Sequence, residues 1–429
     1  MTAAVENGAH MPAGAVDDAP FGGPDGPMQG LKVLDLAWVV AGPMIGRNLA
    51  DFGATVIRVE SSKRVETARN MGPFYGGVQD AQRSSLFGNC NASKFGLTLD
   101  LAQEDGRDVV RDLVKWADVV VESFAPGQMK RWGLGYDKLR ELNPRLIMLS
   151  TSLMGQTGPW TALAGFGNIG AAMAGYQGLV GPQDGLPIGP YGPYTDYVGP
   201  RFGLAALLSA LDWRRTSGEG CWLDIAQAEA GMQMLAPAIA DYAATGRVAK
   251  AEANRDAQMA PHGVFPSLAP EGADPRFVAI AARTDAEWMA LAGVMGLDDL
   301  AADPALATLE GRKAAEDMLE ARISEWTSAR SPEDAEAALQ AAGTPAYVVA
   351  TAADLGRDPQ IAEQGHFVNV PGYDWEVIVE RCKMDLSETP ARVARPAPTF
   401  GRDREKVLSE ILGYDAARIE ALDKVGALS

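Results

Sequence analysis

Leu31-Lys32-Val33-Leu34-Asp35-Leu36, then Ala41-Gly42-Pro43 opening an amphipathic segment to about Phe52, then Thr55-Val56-Ile57-Arg58-Val59-Glu60, is the stretch that decides the fold. The two flanking runs are short and rich in β-branched residues, and the segment between them starts at a Gly-Pro turn. Strand, turn, helix, strand is a βαβ unit, whose two strands must be parallel. The pattern then repeats. It runs through a strand at Phe95 to Leu101, a helix over Asp105 to Trp116, a strand at Asp118 to Glu122, a short helix over Gly127 to Trp132 and a strand at Arg145 to Ser150. Such alternation predicts an α/β fold with a doubly wound, Rossmann-like sheet covered by helices on both faces. Ligands in these sheets bind at the carboxyl ends of the strands, which here carry Ala37 to Pro43, Glu60 to Arg64, Glu122 to Gly127 and Thr151 onward.

Further along, a helix is expected over Phe202 to Arg215, stopped by Ser217-Gly218-Glu219-Gly220, with a strand at Cys221 to Ala226. The polar run from Arg247 to Pro261 marks a boundary. A strand at Arg276 to Ala281 and helices over Asp285 to Met295, Arg312 to Ala329 and Pro332 to Ala342 read as a small α+β domain. The expected organisation is a mobile tail over 1–29, a large α/β domain over 30–246, the small domain over 247–350 and a C-terminal return to the large domain over 351–429.

The totals narrow the function. A chain of 429 residues exceeds one ordinary core. A net charge of −18 argues against a nucleic-acid binder, which needs a basic face. Residues 1–29 lack the basic start and apolar core of a signal peptide, and no apolar run approaches the ~18 residues of a membrane span. Cys90, Cys221 and Cys382 are too scattered for a disulfide framework and lack metal-ligand spacing with His10, His262 or His366, so no metal is expected and a cytoplasmic location fits.

Several motifs invite chemistry. Ala41 to Gly46 with Glu60 at the next strand end suggests a dinucleotide site, but the glycine fingerprint fails and Pro43 removes an N–H that a pyrophosphate would want. Ser123-Phe124-Ala125-Pro126-Gly127 followed by Lys130-Arg131 suits a stacked base and a phosphate, and equally suits a packed loop aromatic with solvated cations. No Ser-His-Asp set can be assembled, which leaves carboxylates as the available nucleophiles. Asp196 stands out, in Gly189-Pro190-Tyr191-Gly192-Pro193-Tyr194-Thr195-Asp196-Tyr197-Val198-Gly199-Pro200. Three glycines and three prolines place it on a shaped loop ahead of the helix at Phe202, where it is either a catalytic carboxylate or a helix-capping one.

Taken in order, Leu34-Asp35-Leu36, Ala41-Gly42-Pro43, Gly53 to Glu60, Asp118 to Gly127, Gly133-Leu134-Gly135-Tyr136, Asn143 to Ile147, Gly155 to Pro159, Thr216 to Gly220, Ala260 to Phe265 and Lys406 to Tyr414 resemble the family III CoA-transferases. This is also called the formyl-CoA transferase and carnitine/bile-acid CoA-transferase family, and the likeness covers nearly the whole chain from Gly30. The resemblance implies an enzyme that takes coenzyme A from an acyl-CoA and passes it to a carboxylic acid, with acyl-CoA as substrate and no permanently bound cofactor. Asp196 lies 29 positions after Gly167, the place of the family's nucleophilic aspartate, which forms an aspartyl-CoA thioester. By matching position Val40 and Ala41 line the pantetheine and thioester, Leu99 and Leu101 the CoA channel, Ser123 and Phe124 the adenosine side, and Arg131 the phosphates. Ser61 stands where an arginine is usual, so Lys63 or Arg64 is expected to take that phosphate contact. Gly167 stands where an acidic residue is usual, so more room near Asp196 and an acid bulkier than oxalate are expected.

Tyr194 to Pro200 and Asp224 to Glu229 look more like the branch acting on aromatic or dicarboxylic acids, such as benzylsuccinate CoA-transferase. The resemblance further implies an interlocked-ring dimer, either a homodimer or a heteromer with a related subunit. In a heteromer this chain is either the catalytic or a non-catalytic CoA-binding subunit. Phe166 and Gly167 occupy the place of the histidine of the family's racemase branch, which disfavours an acyl-CoA racemase.

Overall fold

A computed structural model describes residues 21–23, 25–183 and 185–429. The first strands form as the residue patterns dictate: β1 (Lys32–Asp35), α1 (Ala41–Asp51) and β2 (Thr55–Glu60) make the opening βαβ unit. Then follow α2 (Ser85–Asn91), β3 (Phe95–Thr98), α3 (Glu104–Trp116), β4 (Val119–Glu122), α4 (Gln128–Arg131), α5 (Tyr136–Leu142) and β5 (Ile147–Ser152). After these come α6 (Gly167–Ala174), α7 (Tyr194–Ser217), β6 (Trp222–Ala226), α8 (Gln227–Gln233) and α9 (Ala236–Thr245). The six strands pair in parallel in the order β3-β2-β1-β4-β5-β6. Strand order reverses between β1 and β4, so the crevice for a ligand opens at their carboxyl ends.

Alternate side chains of each strand enter opposite cores, as a two-residue period requires. Leu34, Ile57, Val120 and Met148 pack with Val110 and Leu113 of α3 on one face. Val33, Val56, Val119 and Ile147 pack with Ile45 of α1 and Leu207 of α7 on the other. Under β1 lies a fully buried charge cluster. Lys94 Nζ donates to Asp35 (2.7 Å), the Pro43 carbonyl (2.7 Å) and Asn91 (2.8 Å), while Arg58 meets Glu66 and Asp35. Asp35 also accepts the Ala37 N–H (3.0 Å), so this cluster braces the turn between β1 and α1 from below. In that turn Val39 has φ of 68°, a left-handed conformation that costs a β-branched residue on the order of 1–3 kcal/mol.

The chain divides into two units. One runs up to Tyr176, continues over Pro190–Gly246 and returns at Gly356–Ser429. The other is Arg247–Leu355, and Gln177–Gly189, read from sequence as part of the large domain, groups with it. The second unit has an antiparallel sheet of β7 (His262–Ser267), β8 (Arg276–Ala281) and β9 (Ala346–Val348). Its core gathers Val278, Ile280, Trp288, Leu291, Ile323 and Leu339. Within the first unit the C-terminal return docks across the ends of β2 and β3. Thr98 Oγ1 donates to the Leu428 carbonyl (2.8 Å), Ser61 Oγ to that of Ser429 (3.1 Å), and the Asp100 N–H to that of Ala427 (2.8 Å).

Three expectations change. The tail expected over 1–29 lies outside the described residues up to 20 and at 24, but its last stretch is held: the Met28 N–H donates to the Phe52 carbonyl (3.0 Å) and Phe21 packs on Phe95 at 4.8 Å. The strand expected to reach Leu101 ends at Thr98, leaving Leu99 and Leu101 in the turn beyond it. Asp196 is not on a loop, because α7 begins at Tyr194 and continues through Gly199 and Pro200 for 24 residues. Pro200 gives up the bond it would have made to the Asp196 carbonyl and crowds that carbonyl, and both Pro200 and Gly199 are buried in the packing around α7.

Candidate active site

At the reversal point, β1 and β4 end in two turns that bind each other. The Trp38 N–H donates to Ser123 Oγ (2.7 Å), whose hydroxyl donates back to the Trp38 carbonyl (3.2 Å). Behind them a cavity of about 360 Å³ is lined by Trp38, Ser61, Lys63, Arg64, Leu99, Leu101, Ser123, Phe124, Gln128 and Trp132, among others. Its walls are aromatic. Phe124 lies between Trp38 (5.9 Å, edge-on) and Trp132 (5.0 Å, edge-on), and the Arg64 guanidinium sits 5.5 Å from the Trp38 ring. A larger surface hollow of about 550 Å³ around Gly401 to Glu410 contains none of these residues.

Glu122, the last residue of β4, sets the Phe124 turn: its carboxylate accepts the Phe124 N–H (2.8 Å) and a hydrogen bond from Ser150, which in turn accepts from Trp222 Nε1 (2.9 Å). Burial pushes Glu122 up to about 7, against the pull of those two donors. On the rim, Ser61 Oγ accepts the N–H groups of Lys63 (3.2 Å) and Arg64 (3.3 Å), which curls that loop toward the cavity. Lys63 Nζ bonds to Asp100 (3.3 Å) and the Gly426 carbonyl (3.0 Å), so its position is fixed by the C-terminal return.

Asp196 is the third residue of α7 and is 4 % exposed. Its carboxyl is pushed up to about 6, chiefly by burial, and the Gly167 backbone and the Gln227 side chain beside it pull it back down. Three glycines place it. A Cβ on Gly167 would lie 2.5 Å from both the Asp196 nitrogen and the Pro193 carbonyl oxygen, one on Gly170 would lie 2.2 Å from Thr195 Oγ1, and one on Gly231 would lie 2.9 Å from Thr195 Cγ2. The fully buried Thr195 therefore pins the first turn of α7 between α6 and α8, and its hydroxyl donates to the Gly167 carbonyl (3.1 Å). This corrects the expected role of Gly167. It does not open space beside Asp196, because the backbone of residues 193–196 fills the volume a side chain would take.

Among the residues singled out from sequence, Leu99, Leu101, Ser123 and Phe124 share the cavity wall, with Lys63 and Arg64 on the same wall. Val40 and Ala41 are buried at the start of α1; Val40 packs with Met44 and Cys90, and Cys90 is near enough to Asp196 for its charge to be felt. That thiol is pushed up to about 12 by burial, so it is protonated at neutral pH and offers no rival nucleophile. Arg131 is exposed and off the wall, tied to Gln128 (2.6 Å), which does line it. Sequence reasoning reached Trp38 only as part of the strand-end stretch Ala37 to Pro43, and gave no role to Trp132 or Gln227. Gln227 directly follows β6, so the strand-end rule applied to that strand as well would have reached it.

A doubly wound α/β protein with an aromatic cavity at the strand reversal, and a buried carboxylate presented by a helix start, defines a ligand-transforming class that the comparisons then specify. The model of CoA-transferase family III matches residues 28–404. The succinyl-CoA–D-citramalate CoA-transferase of Chloroflexus aurantiacus is 32% identical over 403 residues, covering 93% of this chain and 98% of that protein. The succinate–glutarate CoA-transferase of Agrobacterium fabrum is 32% identical over 388 residues, covering 90% and 96%. The alpha subunit of a Chloroflexus aurantiacus succinyl-CoA–L-malate CoA-transferase is 31% identical over 398 residues, covering 92% and 91%. A crystal structure of a CAIB/BAIF family protein from Brucella suis superposes with a TM-score of 0.83 at 31% identity, covering 90% of this chain and all of that one. The chain belongs to the family III CoA-transferases. Among the described residues no helix is long and apolar enough to cross a membrane, and no group of three or more His, Cys, Asp or Glu is placed to hold a metal ion.

Proposed function

We propose that this enzyme moves CoA from succinyl-CoA to a dicarboxylic acid through a thioester on Asp196, with the nucleotide of CoA seated between Trp38, Phe124 and Trp132. The observation that carries the reading is the Asp196 carboxylate: buried at the start of α7 and lifted to about 6, it is ionised at neutral pH yet largely shielded from water. Its oxygen attacks the thioester carbonyl, forming a mixed anhydride and expelling CoA thiolate. The thiolate attacks the aspartyl carbonyl, the anhydride C–O bond breaks and the donor acid leaves as its carboxylate. The acceptor carboxylate then attacks the aspartyl thioester, the thiolate leaves, and its return to the acceptor's acyl carbon frees Asp196. Protons balance throughout, which suits a site without a general-base histidine.

Succinyl-CoA as donor rests on the named relatives, and their citramalate, malate and glutarate acceptors support a dicarboxylic acid here. Benzylsuccinate, favoured by the sequence around Asp196, belongs in the same acceptor panel. Lys63 and Arg64 are assigned to the CoA phosphates, and Val40 and Ala41 to the thioester end. The enzyme is proposed to work as a homodimer or with a related subunit. Helix α9 supports assembly, since it buries no residue of its own and leaves Ile239 and Tyr242 more than half exposed. The relative named as an alpha subunit keeps a second reading in view, in which this chain binds CoA for a catalytic partner.

Intact mass after incubation with succinyl-CoA and a hydroxylamine quench decides between them. The unaltered chain should gain CoA and convert to a hydroxamate at Asp196, and Asp196→Asn should do neither. CoA binding without either product in the unaltered chain would leave the non-catalytic reading standing.

A further inference from the structure

Glu122 is an acid where packing asks for none. It is the last residue of β4 and 2% exposed, and its Oε2 accepts the N–H of Phe124 (2.8 Å), two residues along in the turn that lines the cavity. In register beside it on the sheet stand Ser150 of β5, which accepts from Trp222 Nε1 (2.9 Å), and then Asp224 of β6. Among the described residues Asp224 is the one charged group whose field reaches it, and that field opposes its ionisation, as burial does more strongly. Asp224 also steadies the far end of the same turn: its Oδ2 accepts the Gln156 N–H (2.8 Å), and Gln156 Oε1 accepts the Gly127 N–H (3.4 Å). A glutamine in place of Glu122 would present the same oxygen to Phe124 without the cost of a buried charge. What an acid adds is charge on that bond, which makes it about twice as strong as a neutral one.

We propose that Glu122 is a positioning residue for CoA: its ionised carboxylate holds the Phe124 turn in the shape that binds the nucleotide, so CoA is bound more tightly when Glu122 is charged. The proposal rests on the nucleotide being seated against Phe124, and it adds a residue that need not touch the ligand. Ser123 is fixed through its side chain to the backbone of Trp38, and Gly127 through the long contact to Gln156. Between those two ties, the bond from the Phe124 N–H to Glu122 sets where the ring stands between Trp38 and Trp132. CoA affinity scales with the fraction of molecules whose turn is already in the binding shape. Burial raises the carboxyl to about 7, so the charged fraction, and with it the affinity, should grow as pH rises through neutrality.

The test is the dissociation constant for CoA, measured by calorimetry from pH 5.5 to pH 8.5 on the full chain and on its Glu122→Gln and Glu122→Asp variants. The phosphates of CoA titrate alike in every sample, so the ratio of variant to unaltered chain cancels them. Glu122→Gln should match the unaltered chain at pH 5.5 and bind CoA about fivefold more weakly at pH 8.5, with the change centred near pH 7. Glu122→Asp keeps the charge but withdraws it by one methylene, and at pH 8.5 it should also bind more weakly than the unaltered chain. A Glu122→Gln ratio that does not vary with pH overturns the proposal in favour of plain packing. So does a Glu122→Asp variant that binds CoA at pH 8.5 as tightly as the unaltered chain, because the bond to Phe124 would then be immaterial. Phe124→Ala serves as the control for the nucleotide seat. If it binds CoA as the unaltered chain does, the seat itself is wrong and the proposal falls with it; if it binds weakly while the Glu122→Gln ratio stays flat, the proposal alone falls.

Discussion

Replacing Asp196, the proposed nucleophile, should make this protein more stable, and the gain should depend on pH. Burial lifts the Asp196 carboxyl from 3.8 to about 6, and the Gly167 backbone and the Gln227 side chain only partly offset that. Between those pH values the native state holds more protons than the unfolded chain, so stability falls as pH rises through the window. The cost is absent below 3.8 and complete above about 6, and a shift of roughly two units corresponds to about 3 kcal/mol. Asp196→Asn is nearly isosteric and uncharged. The neighbouring Gln227 side chain has a buried, unpaired Oε1 that can face the new NH2 group. Urea unfolding of both proteins from pH 4 to pH 8 should show the variant ahead by up to about 3 kcal/mol at the alkaline end, converging toward pH 4, while transferase activity is lost. The same carboxyl should give the unaltered enzyme an acidic limb in kcat/KM near pH 6, falling tenfold per unit below it. A stability difference that does not vary with pH, or a variant less stable at pH 8, would refute the claim that desolvation governs this group.

Other expectations follow from the packing. Gly167→Ala puts a Cβ 2.5 Å from the Pro193 oxygen and the Asp196 nitrogen and should cost on the order of 10²-fold in kcat with little change in CoA affinity, as steady-state kinetics and a CoA titration would show. Phe124→Ala removes the ring between Trp38 and Trp132, so the KM for succinyl-CoA should rise about tenfold with kcat nearly kept. Lys94→Met takes the nearer of two buried cations from Asp35 and leaves only Arg58 at 3.6 Å, and urea unfolding should register a loss of about 3–5 kcal/mol. Adding Asp35→Asn should restore part of it.

The strands were legible because each is a short run of β-branched and aliphatic residues bounded by turn formers, and β2 and β8 fall where the pattern places them. Helix α7 was half hidden. Its first turns carry Gly199 and Pro200, which propensity assigns to a loop, but Gly203 lets the helix lie against Ile45 and Leu149, and that burial outweighs the local preference. The cavity residues Leu99, Leu101, Ser123 and Phe124 were found through strand ends and family likeness. Arg131 was matched by position, but its side chain turns to Gln128.

Composition and period alone therefore determined an α/β chain with a parallel sheet, an acidic protein unsuited to nucleic acid, and a ligand crevice at the strand ends. The surroundings of Asp196 came only with the tertiary structure. Gly167, Thr195, Gln227 and Gly231 come from three helices with no periodic relation in the chain, and what brings them together is the absence of side chains at two of those positions. A glycine in the sequence states only that a side chain is missing. Which backbone moves into that space, and which carboxylate it carries there, is decided when α6, α7 and α8 pack.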